Sequence, residues 1–271
     1  RLAEHKKATG KFLNPVVIDI EDVYREFSGG NHDPGAIRNF LMYVHNSNNW
    51  SIAPDYVLLF GGGHYDYKGY DTDEINYITT AQIDFKCIED FFSCINAGEY
   101  VMMNDSVAPD LFLGRIPHGS ILEAKDVVDK IIDTEGPDAD YGAWRNRLLL
   151  VSDDDMAGNE KDFIQHFKSN ESVEEIVKLE RPSLEVRKVM LFEYEWNEIY
   201  QKPEASSALF NEINNGVSCV NYFGHGSENA WADEAILVKD KICNFHNSKR
   251  YPIINSFSCS VGRFDEPDRT C

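Results

Sequence analysis

Short apolar runs alternate along this chain with longer stretches in which apolar side chains recur every three or four positions. The first run, NPVVIDI (14–20), reads as a buried strand. DPGAIRNFLMYVH follows with the signature of a helix: Asp33 is placed to cap it, Pro34 to occupy its first turn, and Ile37, Phe40, Leu41 and Val44 to share one face. DYVLLFGGG (55–63) and DLFLG (110–114) read as further strands. After the second of these, Ser120 and Glu123 form a capping box ahead of SILEAKDVVDKII. NRLLLVSDDD (146–155) predicts a strand that ends in carboxylates, and EVRKVMLFE (185–193) predicts another. PEASSALFNEINNG (203–216) is a helix stopped by Gly216, and it leads into VSCVNYFGHG and then YPIINSFSC, two successive buried strands. Strands alternating with helices imply right-handed crossovers and a mostly parallel α/β sheet. The acidic, irregular stretch DTEGPDADYGAW (133–144) is the expected boundary between two α/β halves, 1–135 and 143–271.

Charge narrows the range of partners. With 46 acidic and 26 basic side chains the chain carries a formal charge of −20. Phosphate-rich surfaces would repel it, which argues against nucleic acid and anionic lipid. Its apolar runs are far too short for a transmembrane segment. The chain opens at Arg1 with no signal peptide, and the expectation is therefore a fragment or processed form. The six cysteines (87, 94, 219, 243, 259 and 271) contain no CxxC pair, which argues against a zinc ribbon or thioredoxin chemistry.

Chemistry concentrates at the ends of two strands. In CVNYFGHGSENAW a histidine, His225, sits bare between two glycines at the end of an apolar run, and Cys259 ends the next run. In a parallel sheet, functional groups gather just beyond the carboxyl ends of strands. An imidazole beside a thiol lowers its pKa and can later protonate a leaving amine. A single cysteine after an apolar run is more often a core residue, and Cys219 fits that description; it is the pairing of His225 with Cys259 that points to catalysis. LLFGGGHYDYKG lacks the spacing of either phosphate-binding glycine motif, so it is no nucleotide loop; His64 and Asp66 are expected to serve the fold or a cleft. DDDMAGNEKD resembles a calcium loop by composition, yet counting from Asp153 places Ile164 where a bidentate glutamate belongs.

The segments VNYFGHGSENAWADE and PIINSFSCSVGRFD resemble the histidine and cysteine blocks of the gingipain family of cysteine peptidases. RLAEHKKATGKFLNPVVIDIEDVYREFSGGNHDPGAIRNFL, DYVLLFGGGHYDYKG and DLFLGRIPHGSILEAKDVVDKI are similar to the peptidase domain of the type IX secretion sortase (PorU-like). The resemblance implies a caspase-like fold of mostly parallel sheets flanked by helices. Twelve residues follow Cys259, and the fold normally continues further, so a truncated C-terminus is expected. The resemblance makes Cys259 the nucleophile and His225 the general base and acid, with the backbone N–H groups of Gly226 and Cys259 as an oxyanion hole. It puts the acid that orients the histidine at Asp154, where gingipains carry glutamate, with Asp153 the neighbouring alternative. Asp162 is the residue nearest to the specificity aspartate of arginine-cleaving relatives, and also suits a solvated helix N-terminus. Trp231 is a candidate wall of the substrate cleft, and equally a packing residue. The implied task is an endopeptidase that removes C-terminal sorting domains from type IX secreted proteins, by hydrolysis or by transfer to an amine, at the bacterial outer membrane, cell surface or outside the cell. Its implied partners are those protein substrates and other type IX components. No cofactor is required, and calcium is a candidate structural ion. A general secreted protease and a non-catalytic interaction module on the same fold are the alternatives.

Overall fold

The computed structural model describes residues 1–12, 14–46, 50, 52–83, 86–96, 108–154 and 160–267, with the backbone alone at 46 and 160–163. The chain divides into two compact units. One is Arg1–Asp129 together with the segment that begins at Phe264; the other is Lys130–Arg263. The division falls inside a helix, a few residues before the irregular stretch expected to hold the boundary.

The first unit contains α1 (Leu2–Ala8), α2 (Ile20–Ser28), α3 (Pro34–Asn46), β1 (Tyr56–Phe60), β2 (Gln82–Ile83), β3 (Lys86–Cys87), α4 (Asp90–Ser93), β4 (Phe112–Ile116) and most of α5 (Ile121–Glu135). β1 and β4 run parallel, Tyr56 opposite Phe112. Helix α3 starts as its sequence predicts: the Gly35 N–H donates to Asp33 Oδ1 at 2.8 Å. Ile37, Leu41 and Val44 are buried, the first two in one cluster with Tyr24, Leu59, Phe92 and Ile95. At α5, Ser120 Oγ accepts the Glu123 N–H, while the Glu123 carboxylate accepts from Gly119 rather than from Ser120 itself. The Arg115 guanidinium, buried on β4, donates to the carbonyls of Gly61, Ile78 and Thr79 and to Glu89, tying the loops around the two strands.

The expected strand at 14–20 is absent. Val16 and Val17 are 61 % and 80 % exposed, and residues 14–19 form no ladder. The polar end of that run has a different job: Asp19 Oδ1 accepts the Glu21 N–H and caps α2.

The second unit holds β5 (Arg147–Ser152), α6 (Glu160–Glu180), β6 (Glu185–Met190), α7 (Pro203–Asn215), β7 (Cys219–Phe223), the two-residue strands β8 (Ala230–Trp231) and β9 (Leu237–Val238), and β10 (Ile253–Phe257). Its main sheet has the order β10-β7-β5-β6, all parallel. Alternate side chains of β5 face opposite layers, as the pleat requires. Leu149 and Val151 pack with Leu209 and Ile213 of α7, and Leu148 and Leu150 pack with Phe167, Val173 and Val177 of α6. A sheet covered on both faces needs the near-continuous apolar run LLLV that β5 supplies. Buried Asn170 pins α6 to the sheet, donating to the Val151 carbonyl and Ser152 Oγ and accepting from Asn221.

β10 departs from its reading as a buried strand. Among the described residues it pairs with β7 alone, Ile253, Ile254 and Phe257 are 69 %, 45 % and 54 % exposed, and it is the last strand of that sheet. Replacing Leu149 with alanine should lower unfolding free energy by about 2–5 kcal/mol, the range for a buried leucine that leaves a cavity. Ile253→Ala should change it by less than about 1 kcal/mol; urea denaturation of the two variants checks the contrast.

Candidate active site

The site is built on the register of two strands. Phe223, the last residue of β7, lies opposite Phe257, the last of β10, and their rings stack at 4.5 Å. His225 and Cys259 each stand two residues beyond that pair, at the carboxyl edge of the sheet. Cys259 is an exposed free thiol.

The glycines on either side of His225 are there for closeness. A Cβ on Gly224 would collide with the Asp153 Cβ and the Tyr222 hydroxyl, and one on Gly226 would strike Ser258 Oγ and come within 2.7 Å of Val261 Cγ2 and 3.1 Å of the Cys259 carbonyl. The turn that bears the cysteine therefore presses directly on the backbone next to the histidine. Gly226 also faces Trp231 in an antiparallel bridge whose hydrogen bonds run from Ala232 N–H to the His225 carbonyl and from Ser227 N–H to the Ala230 carbonyl. In that pattern the Gly226 N–H is not engaged by the bridge.

The His225 backbone is fixed at both ends. Its N–H donates to Asp153 Oδ2 at 2.7 Å, and its carbonyl accepts the Tyr222 hydroxyl at 2.5 Å and the Ala232 N–H at 2.9 Å. Burial pushes the Asp153 carboxyl up to about 7, against the pull of the His225 N–H. Asp154 faces elsewhere. It pairs with the ammonium of Lys202, a 2 % exposed lysine that also donates to the Leu191 carbonyl at 2.7 Å and lies 4.4 Å from the Trp196 ring centre. Of the two consecutive aspartates, it is Asp153 that meets the histidine segment.

Glu234 completes a group of carboxylates with Asp153 and Asp154, one oxygen from each within 4.8 Å of the others. It sits in the turn between β8 and β9, where Ala232 and Ala235 both have positive φ (58° and 55°). Burial first, and then the neighbouring Asp154 carboxyl, pushes Glu234 up to about 8. His166 of α6 stands against His225, ring centres 5.1 Å apart and nearly perpendicular. Lys202, Glu234 and His166 have no signal in the sequence, because each reaches this edge from a different element.

Other expected residues lie apart from this cluster. Trp231 is 5 % exposed and stacks flat on Tyr222 at 4.3 Å within the core, which is a packing position and no cleft wall. Asp162 falls in the first turn of α6, its side chain outside the described residues. The loop with calcium-like composition includes 155–159, also outside them. In the first unit, Asp66 accepts the N–H groups of Tyr70, Asp71 and Thr72, which hold its carboxyl below the usual range, and His64 is buried against the Glu74 carbonyl; both shape their loop. Burial, followed by Glu89, pushes Cys87 up to about 12, and burial raises Cys219.

The model of peptidase family C25 matches residues 1–271, the whole chain. The chain belongs to that family. Among relatives of this C25 chain, Lys-gingipain from Porphyromonas gingivalis is 23 % identical over 218 residues, covering 80 % of this chain and 11 % of its own length. This chain thus spans about a tenth of that relative. In fold it matches a complex of the pro- and mature domains of RgpB from Porphyromonas gingivalis, with a TM-score of 0.64 and 21 % identity over 97 % of this chain and 53 % of the other. The Arg-specific cysteine proteinase gingipain R matches with a TM-score of 0.59 and 20 % identity over 91 % of this chain and 52 % of its own. The caspase-like α/β fold expected from the sequence is the fold observed. Among the described residues no helix is long and apolar enough to cross a membrane.

The raised carboxyls make stability depend on pH. Folded Glu234 keeps its proton up to about 8, whereas in the unfolded chain it is lost near its ordinary 4.5, so its contribution falls as pH rises between those values. Glu234→Gln should leave stability near pH 5 almost unchanged and raise it at pH 8 by on the order of a few kcal/mol, the scale of a shift of several pKa units. Urea denaturation at both pH values would detect this; an equal effect at the two would refute the buried, protonated acid.

Proposed function

We propose that this C25 chain carries the catalytic pair of a cysteine endopeptidase, with Cys259 as nucleophile and His225 as general base and acid. The observation that supports it is the shared register of β7 and β10, which sets imidazole and thiol two residues beyond opposed phenylalanines. Cys259 passes its proton to His225, and the thiolate attacks the scissile carbonyl. The Gly226 and Cys259 N–H groups receive the developing oxyanion, Gly226 because its bridge leaves that donor unused. His225 then protonates the departing amine, leaving a thioester on Cys259. Water resolves it to a free acid; an amine resolves it to a new amide. This chemistry needs no cofactor.

Asp153 takes the part of positioning residue. Its carboxylate holds the His225 backbone, whereas Asp154 is engaged by Lys202. The resemblance of the N-terminal segments to the type IX sortase supports a finer reading: removal of C-terminal sorting domains from proteins delivered to the bacterial surface, by hydrolysis or transfer. A basic preference through Asp162 is a separate reading, drawn from the resemblance to arginine-cleaving relatives.

In the full-length protein, Cys259→Ala and His225→Ala should each lower kcat/KM on a sorting-domain substrate by about 10³-fold or more. Iodoacetamide should label Cys259 ahead of Cys87, whose thiol stays protonated at pH 8. Preferential labelling of Cys87 or Cys243, or full activity in Cys259→Ala, would remove the nucleophile. Mass spectrometry of products formed with an added glycan amine separates transfer from hydrolysis, since free acid alone excludes the transferase role.

A further inference from the structure

We propose that Asp153, His166 and His225 form a binding site for a zinc-type transition ion. One ligand atom from each of the three lies within 4.8 Å of those of the other two. They converge from three elements. Asp153 follows β5, His225 follows β7, and His166 stands on α6, one turn before the Asn170 that ties this helix to the Val151 carbonyl and Ser152. Asp153 gives the site its second, independent mark. It is 1 % exposed, its Oδ2 accepts the His225 N–H, and its Oδ1 accepts no hydrogen bond of normal geometry among the described residues, the nearby Tyr222 hydroxyl being turned to the His225 carbonyl. A buried carboxylate oxygen without a donor is costly, and a cation satisfies it.

The donor set decides the kind of ion. Two imidazole nitrogens and one carboxylate oxygen suit zinc with a fourth position left open, and suit calcium or magnesium poorly. Tetrahedral bonds of about 2.1 Å place ligand atoms roughly 3.4 Å apart, so side-chain rotation has at most about 1.4 Å to close. The more acidic trio of Asp153, Asp154 and Glu234 is the weaker candidate, because the Lys202 ammonium already sits on Asp154. Zinc on either ring nitrogen of His225 would leave the other as an N–H, and the imidazole could then no longer accept the thiol proton. Reversible inhibition follows from that reading; the metal site itself does not depend on it.

The test uses the full-length protein with Cys259→Ala as background, so that no thiolate beside His225 can bind the metal. After chelator treatment, titration calorimetry with Zn²⁺ should show one ion bound, and Co²⁺ should give tetrahedral ligand-field bands without a sulfur-to-cobalt charge-transfer band. Adding His166→Gln should weaken zinc binding by at least about 10-fold. Placing His166→Cys on the same background should keep the metal and add the charge-transfer band, which reports residue 166 at the ion even if the glutamine variant folds poorly. No binding in Cys259→Ala, undiminished affinity in His166→Gln, or no new band in His166→Cys would each overturn the site. Because none of these readings measures peptide cleavage, a failed nucleophile assignment and a failed metal site are told apart.

Discussion

The hydrogen-bonded ladder between β7 and β10 is the constraint on which the candidate active site depends. Parallel pairing in register sets Phe223 against Phe257 and therefore fixes which residues emerge side by side at the carboxyl edge. A slip by one residue would turn every side chain of a strand to its other face. β7 resists such a slip because Val220 and Tyr222 are buried in the core while Asn221 is bonded to Asn170. The side chains of β10 are largely exposed, and they meet β7 through the Phe257 stack on Phe223 and the Asn255 amide on Cys219 Sγ. Its register rests on the ladder, on that stack and on the contact of its following turn with Gly226. Main chain, more than side chain, holds the thiol in place.

Much of the second unit was legible because its signals were local. The apolar run at 147–152, the stop at Gly216 and the bare histidine between glycines each carry their meaning within a few residues. What local pattern could not supply was the partner. PVVI at 15–18 and PIIN at 252–255 look alike as apolar stretches, yet the first makes no ladder and the second leads into the last strand of its sheet. Apolar character alone does not distinguish a buried strand from an exposed extended segment. The same limit applies to the acids after β5. Asp153 and Asp154 are neighbours in sequence, and only the fold shows that one meets the His225 backbone while the other meets a lysine nearly fifty positions away. Trp231 was open between cleft and core, and the flat stack on Tyr222 places it in the core.

The carboxyl edge of this sheet gathers three acids, two imidazoles and one ammonium into little space. Such a group is held together by the packing around it, since burial raises two of the acids well above their ordinary range. Crowded, perturbed acids are characteristic of sites that do chemistry, where the surrounding fold sustains an arrangement the groups would not choose in water.

The buried lysine has a consequence for how this protein can diverge. Lys202 is held by a carboxylate, a carbonyl and the face of an indole at once. Loss of Asp154 would leave the buried ammonium with a carbonyl and an indole face in place of its bonded carboxylate; loss of Lys202 would strand a negative charge next to two other acids. Drift at that corner must therefore move through paired replacements, and a homologue that has changed one of these positions should be read for the change in the other.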